Sequence, residues 1–205
     1  AATFLNTARA TGKMIHCLML DGMFKENTTG QARMLAEHTL VDAWLRGVAF
    51  DLDEALALMY ADVFERGYYD AFLAGEQPDA PAFEIDMTDA CAACARLARA
   101  RGREKMAARF EAAAKQWPLV FERETGLVRR AERFYEGTNW NYSFRLMHDM
   151  PGRVALAGGK ERFASLLDLF FGFEMAGREA SFEGFNNETD MEAPYAYHYC
   201  DRHDR

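Results

Sequence analysis

The sequence predicts an all-α fold built from successive helical hairpins. Apolar residues recur at spacings of three and four along most of the chain, strand-like alternation is nearly absent, and the breaks fall at short connections containing Gly or Pro. The segment 31–46 carries Met34, Leu35, His38, Val41 and Leu45 at helical spacing and ends at Gly47. The turn 48–51 leads into a second helix, expected to start near Asp53 as N-cap and to stop at Gly67. A helix is expected from Asp86 or Thr88 to Gly102, and another from Arg103 to Gln116, stopped by Pro118. The third pair spans Asn139–Asp149 and Lys160–Phe171, joined across Pro151-Gly152 and Gly158-Gly159.

Such a series suggests an α/α repeat architecture, either an open solenoid or a ring closed on itself. The hairpins share no repeating signature, which disfavours a binding solenoid. A closed double ring of twelve helices needs well over about 300 residues, at about 11–12 per helix. A chain of 205 residues is one well-packed domain and supplies part of such a ring. The first residue is Ala rather than Met and the last residues show no polar taper, so the chain is expected to be a single partial domain cut at both ends.

Composition narrows the partners. Half the residues are hydrophobic and 13% are aromatic, as in a folded globular protein. The net charge of −8 argues against a nucleic-acid partner, because no basic stripe exists to neutralise phosphates. Arg96, Arg99, Arg101 and Arg103 cluster among alanines and read as a solvated helix face. No apolar run approaches the roughly 18 residues that cross a bilayer, so no membrane partner is expected. Cys91 and Cys94 have zinc or redox spacing, but no second pair accompanies them, and they read as two small helical residues. The sequons at Asn27, Asn141 and Asn187 read as accidental, two of them falling within the segments described next.

The segment 134–149 packs Glu136, Gly137, two Asn, several aromatics and the pair His148-Asp149 into sixteen residues. Glu136 stands at the mouth of a helix, where aromatic neighbours can exclude water. Desolvation raises a carboxyl's pKa, as a general acid near neutral pH requires, while the helix N-terminus pulls the other way. The alternative is an ordinary capping segment with its aromatics turned inward. A second segment, 185–199, offers Asn186, Asn187, Glu188, Asp190 and Glu192, hard oxygen donors of mixed charge that suit Ca²⁺ rather than zinc. The tail Pro194-Tyr-Ala-Tyr-His-Tyr199 presents aromatic faces of the kind that pack against sugar rings. The alternative here is a polar loop preceding an amphipathic helix.

These segments resemble the motifs of glycoside hydrolase family 92. The first is similar to the family's Glu-Gly-Asn-Ala-Trp-Gln-Tyr followed by His-Asp, and the second to its Gly-Asn-Glu-Pro with a later Pro-Tyr-Leu-Tyr-Asn-Tyr. Between them, Leu156-Ala-Gly-Gly-Lys-Glu-Arg-Phe and Leu167-Asp-Leu-Phe170 resemble the family's Leu-Met-Gly-Gly and Leu-Asp-x-Phe. Upstream, His38, Asp42-Ala-Trp-Leu-Arg-Gly47 and Phe50-Asp51 are similar to its His, Asp-Ala-Tyr-Leu-Lys-Gly and Phe-Asp. The motifs stand in the family's order from about residue 30 onwards.

The resemblance implies an (α/α)6 barrel that hydrolyses terminal α-mannosides with inversion and uses Ca²⁺. It makes Glu136 the general acid, Asn187 and Glu188 the calcium ligands with Asn186 a third, and Trp140, His148 and Asp149 pocket residues around an α-mannoside. Thr138, Asn139, Asn141 and Thr189 depart from the family pattern beside the expected sugar, and the link from Thr125 to Tyr135 is shorter. The family's general base lies in an Asp-Asp-x-Gly segment that has no match here, so the base is expected beyond residue 205 and the fragment alone is expected to be inactive. Asp149 and Asp190 are the local substitutes, neither favoured. Two rival readings remain, a non-catalytic carbohydrate-binding or scaffold remnant and a glycosidase for another sugar. Unpaired cysteines favour a reducing compartment, whereas the resemblance favours an extracytoplasmic one.

Overall fold

The computed structural model describes residues 1–14, 34–76, 81–132, 134, 137–173 and 188–205. Among them the fold is all-α, and the strand-like pairing is an isolated antiparallel bridge between Phe121 and Val128. The chain divides into two compact units, residues 1–78 with 82–117 and residues 79–81 with 118–205.

The first unit contains α1 (Ala2–Thr11), α2 (Leu35–Leu45), α3 (Leu52–Phe64), α4 (Tyr68–Ala74), α5 (Pro81–Ala100) and α6 (Glu104–Ala114). Helices α1 and α4 were not anticipated from the sequence. The N-cap of α3 is Asp51, not Asp53: the Asp51 carboxylate accepts from the Glu54 N–H at 3.0 Å. Asp53 instead pairs with Arg101 at 2.7 Å and Arg103 at 3.0 Å. The Arg cluster is thus a solvated face held by surface pairs, Arg99 joining Glu111 in the same way. Helix α5 begins at Pro81, several residues before the expected Asp86 or Thr88, because a proline's fixed φ suits a first helical turn. Asp86 and Thr88 lie buried inside that helix, and the Thr88 hydroxyl donates back to the Glu84 carbonyl at 3.0 Å.

The core of this unit is mainly apolar, with buried acids on α2, α3 and α5. Phe64 meets Tyr60, Tyr69 and Phe110 at centroid distances of 4.9, 5.4 and 5.3 Å. The Arg109 guanidinium lies 4.3 Å from the Phe64 ring centre, a cation–π contact that closes the cluster. Cys91 and Cys94 are buried on α5, with the Cys94 sulfur 3.5 Å from that of Met59. Burial pushes both thiols well above their ordinary range. Glu84, Asp86 and Asp89 are buried on α5, and Glu37 on α2 and Asp62 on α3 are both at 0% exposure. Asp62 pairs with Arg66 at 2.9 Å. Burial, reinforced by the charge of Asp62, pushes the Glu37 carboxyl up to about 8.

The second unit contains α7 (Asn139–Ser143), α8 (Met150–Leu156) and α9 (Lys160–Phe171), followed by 3₁₀ segments at Glu188–Met191 and Ala193–Cys200. Of the expected helix Asn139–Asp149 only Asn139–Ser143 is helical, and α8 starts afresh at Met150. Helix α7 stops at Ser143, because tertiary partners compete for the groups that would extend it. The Ser143 hydroxyl bonds back to the Asn139 carbonyl at 2.6 Å and accepts from the Val128 N–H at 2.8 Å. The Ser143 carbonyl accepts from Arg153 at 3.2 Å. Pro151-Gly152 lies in the first turn of α8 rather than in a connection, with Asp149 as N-cap accepting from the Gly152 N–H at 2.9 Å. Helix α9 matches its expected span, bracketed by Gly159 and Gly172.

Arg153 is the unusual core residue here, at 0% exposure. Its guanidinium lies between the Phe121 ring (4.2 Å) and the Phe163 ring (5.1 Å), and donates to the Gly126 carbonyl at 2.6 Å. Burial lowers its pKa to about 9, which leaves it charged at neutral pH. An aromatic line from Phe163 through Phe144, Phe170 and Phe171 to Tyr197 joins α7, α9 and the last 3₁₀ segment.

Candidate active site

The two motif segments meet in the second unit. Thr138 caps α7, its hydroxyl accepting from the Trp140 N–H at 3.2 Å. The reciprocal half of the capping box comes from Asn141, whose side-chain carbonyl accepts from the Thr138 N–H at 2.9 Å. The same side chain donates through Nδ2 to Asp190 Oδ2 at 2.9 Å. Asn141 and Asp190 are 2% and 0% exposed, so this contact is a dry link between the segment after Glu136 and the turn after Asn187. A second link is made by Glu192, whose Oε1 accepts from the Leu146 N–H at 3.1 Å.

Gly137 has φ +140, a value that glycine adopts and side-chain-bearing residues rarely do. A Cβ at this position would sit 2.7 Å from Asn141 Oδ1, so the loop after Glu136 passes directly over the capping amide. Phe134, on the other side of Glu136, packs on Tyr142 with ring centres 5.4 Å apart. Phe134, Gly137, Thr138 and Asn139 line an open cleft of about 250 Å³ together with Arg130 and Glu132. Arg130 and Glu132 were not picked out from the sequence. Their signal was weak, two charged residues just before the aromatic run, with no motif to mark them.

The remaining predicted residues are placed as follows. Glu136, Asn186 and Asn187 lie outside the described residues. Trp140 is buried on α7, 6.2 Å from Phe144 by ring centre. His148 is exposed just before α8, and the Asp149 carboxylate caps that helix. Glu188 is exposed, while Asp190, two residues on in the same 3₁₀ segment, points inward. A three-residue turn turns such neighbours to different faces. The residue types at 186–188 are oxygen donors of the kind a hard cation takes, and the Glu188 side chain is exposed. Among the described residues alone, no group of three His, Cys, Asp or Glu side chains forms a metal site.

Fold and site together define an all-helical module in which two polar, aromatic-flanked segments, far apart in sequence, are joined by one buried and one part-buried hydrogen bond. The chain belongs to glycosyl hydrolase family 92, whose catalytic-domain model matches residues 2–205. Among solved structures the fold is similar to that of a family GH92 inverting mannosidase from Bacteroides thetaiotaomicron VPI-5482, with a TM-score of 0.72 at 21% identity. The match covers 96% of this chain and 33% of that one, so this chain spans about a third of that enzyme's length. No curated protein matches the chain.

Proposed function

We propose that the protein to which this chain belongs is an inverting, calcium-dependent exo-α-mannosidase, of α-1,2 type, built on an (α/α)6 barrel that other parts of the polypeptide complete. Family membership supports glycoside hydrolysis, and the printed activity of the Bacteroides enzyme supports mannose as the sugar. The observation that carries the site assignment is the Asn141–Asp190 hydrogen bond, which holds the two motif segments in one unit.

In this reading Glu136, which falls between Phe134 and Gly137 in the sequence, donates its proton to the leaving oxygen of the glycosidic bond. Asn186, Asn187 and Glu188 would hold Ca²⁺, which when bound would supply positive charge to stabilise an oxocarbenium-like transition state. The bulk of Trp140 and the exposed His148 shape the approach to the sugar. An inverting pair needs a second carboxylate about 6.5–9.5 Å from the acid to activate water. Asp149 caps α8 and Asp190 binds Asn141, so neither supplies that base; a residue elsewhere in the catalytic domain does.

The test is mannose release from an α-1,2-mannobioside by the full-length protein, followed with and without EDTA and in Glu136→Gln. Release is expected to stop with EDTA and to fall by about 10²–10⁴-fold in the variant on this poor leaving group. The isolated 205-residue chain is expected to release none. Activity indifferent to EDTA would remove the calcium role, and an active Glu136→Gln enzyme would remove the acid assignment.

A further inference from the structure

We propose that Asp190 is the positioning residue for the general acid, acting through the amide of Asn141 on the peptide that follows Gly137. The proposal rests on the assignment of Glu136 as the acid.

Among the described carboxylates of the second segment, Asp190 is the one that is fully buried. Glu188 is exposed and Glu192 is half-buried. The partner of Asp190 is a side-chain amide, a group with a donor end and an acceptor end that can be reversed by a half turn. A carboxylate accepts only, so Asp190 Oδ2 at 2.9 Å selects the orientation in which Nδ2 faces it. The Asn141 carbonyl oxygen is then aimed at the Thr138 N–H, also at 2.9 Å. In the reversed orientation Nδ2 would face that N–H donor to donor, and the amide oxygen would face a carboxylate.

The far end of this relay is the backbone next to Glu136. Thr138 follows Gly137, and the Gly137 Cα lies so close to Asn141 that a Cβ there would be 2.7 Å from Oδ1. The amide oxygen therefore holds the Gly137–Thr138 peptide by a hydrogen bond, at a position where only a residue without a Cβ fits. Glu136 is one residue upstream of that peptide. The carboxylate that starts the relay stands two residues after Glu188, and the chain of bonds runs from 190 to 141 to 138.

Full-length Asp190→Ala and Asn141→Leu enzymes, with Glu136→Gln as reference, test this on an α-1,2-mannobioside and on 2,4-dinitrophenyl α-mannoside. The activated aryl leaving group needs little proton donation, so a misplaced acid slows the disaccharide selectively. The expected result is a fall in kcat of about 10–100-fold on the disaccharide, less than about threefold on the aryl mannoside, and little change in KM. Asp190→Asn, which can still present an oxygen to Nδ2, is expected to recover most of the loss, and it serves as the variant if Asp190→Ala does not fold. The calcium concentration needed for half-maximal activity is expected to stay unchanged.

Equal losses on both substrates in Asp190→Ala and Asn141→Leu, alongside a leaving-group-dependent loss in Glu136→Gln, would overturn the relay and leave the acid assignment standing. A Glu136→Gln enzyme with no leaving-group dependence would overturn both.

Discussion

The phenol of Tyr197 donates to Asp168 Oδ1 at 2.8 Å, tying the last 3₁₀ segment to α9. Arg205 approaches the same oxygen at 3.4 Å and Arg202 lies 3.9 Å from the other, so one carboxylate organises the chain from Tyr197 onward. Tyr197→Phe is expected to lower stability by about 1 kcal/mol, the net value of one such bond. Asp168→Ala is expected to cost about 2 kcal/mol, because it also leaves a buried phenol without its acceptor. Urea unfolding of both variants checks the ranking, and a larger loss in Tyr197→Phe would contradict it.

Glu37 makes stability depend on pH in an unusual direction for a carboxylate. Its folded-state value, pushed up to about 8 by burial and then by Asp62, stands above the ordinary 4.5, so the folded state holds a proton that the unfolded chain has released. The stabilisation is complete below pH 4.5 and is lost as pH rises toward 8. Asp62 and Arg66 are the charged groups that act on Glu37, which in turn helps to raise the Cys91 and Cys94 thiols. Glu37→Gln is expected to flatten this decline and to raise stability at pH 8 by on the order of 2 kcal/mol. Thermal melting at several pH values would show it, and parallel curves for the two proteins would refute it.

Arg153 holds two backbone carbonyls that nothing apolar can satisfy. Arg153→Met keeps the bulk between Phe121 and Phe163 but removes both donors, for an expected loss of about 3 kcal/mol. Lysine keeps the charge without the planar fork or the ring stacking, so Arg153→Lys should recover only part of it. Chemical denaturation of the two variants gives the comparison.

Cys91 and Cys94 are expected to resist alkylation in the native protein at pH 7. Both sulfurs are buried and burial holds both thiols in the protonated form, whereas the thiolate is the reactive species. Mass spectrometry after iodoacetamide treatment should find both unmodified until denaturant is added. Rapid native labelling would mean that α5 opens locally.

The legible parts of the chain are those where local chemistry and tertiary structure agree. Helix α9 could be read because Gly159 and Gly172 bracket an uninterrupted apolar period, and α2 because its pattern ends at Gly47. The break after Ser143 was hidden, since no Gly or Pro marks it and its causes, Val128 and Arg153, are distant or follow later. The Asp51–Asp53 choice was hidden for a related reason. Both residues are good caps, and Arg101 with Arg103, about fifty positions on, decides which one is occupied elsewhere. Of the candidate site, the two segments were legible as residue types and motifs, but the bond joining them was not. An asparagine and an aspartate 49 positions apart carry no sequence signal of pairing.

That separation matters while the protein is being made. Asn141 is the first residue of an Asn-Tyr-Ser sequon, and its amide nitrogen is the atom that donates to Asp190. Until the ribosome has released the 49 residues that follow, Asp190 cannot claim that nitrogen, and a glycosylating secretory host can attach a sugar to it first. A glycan there would leave no room for the buried link to close. Recombinant production in a host without Asn-linked glycosylation avoids that race.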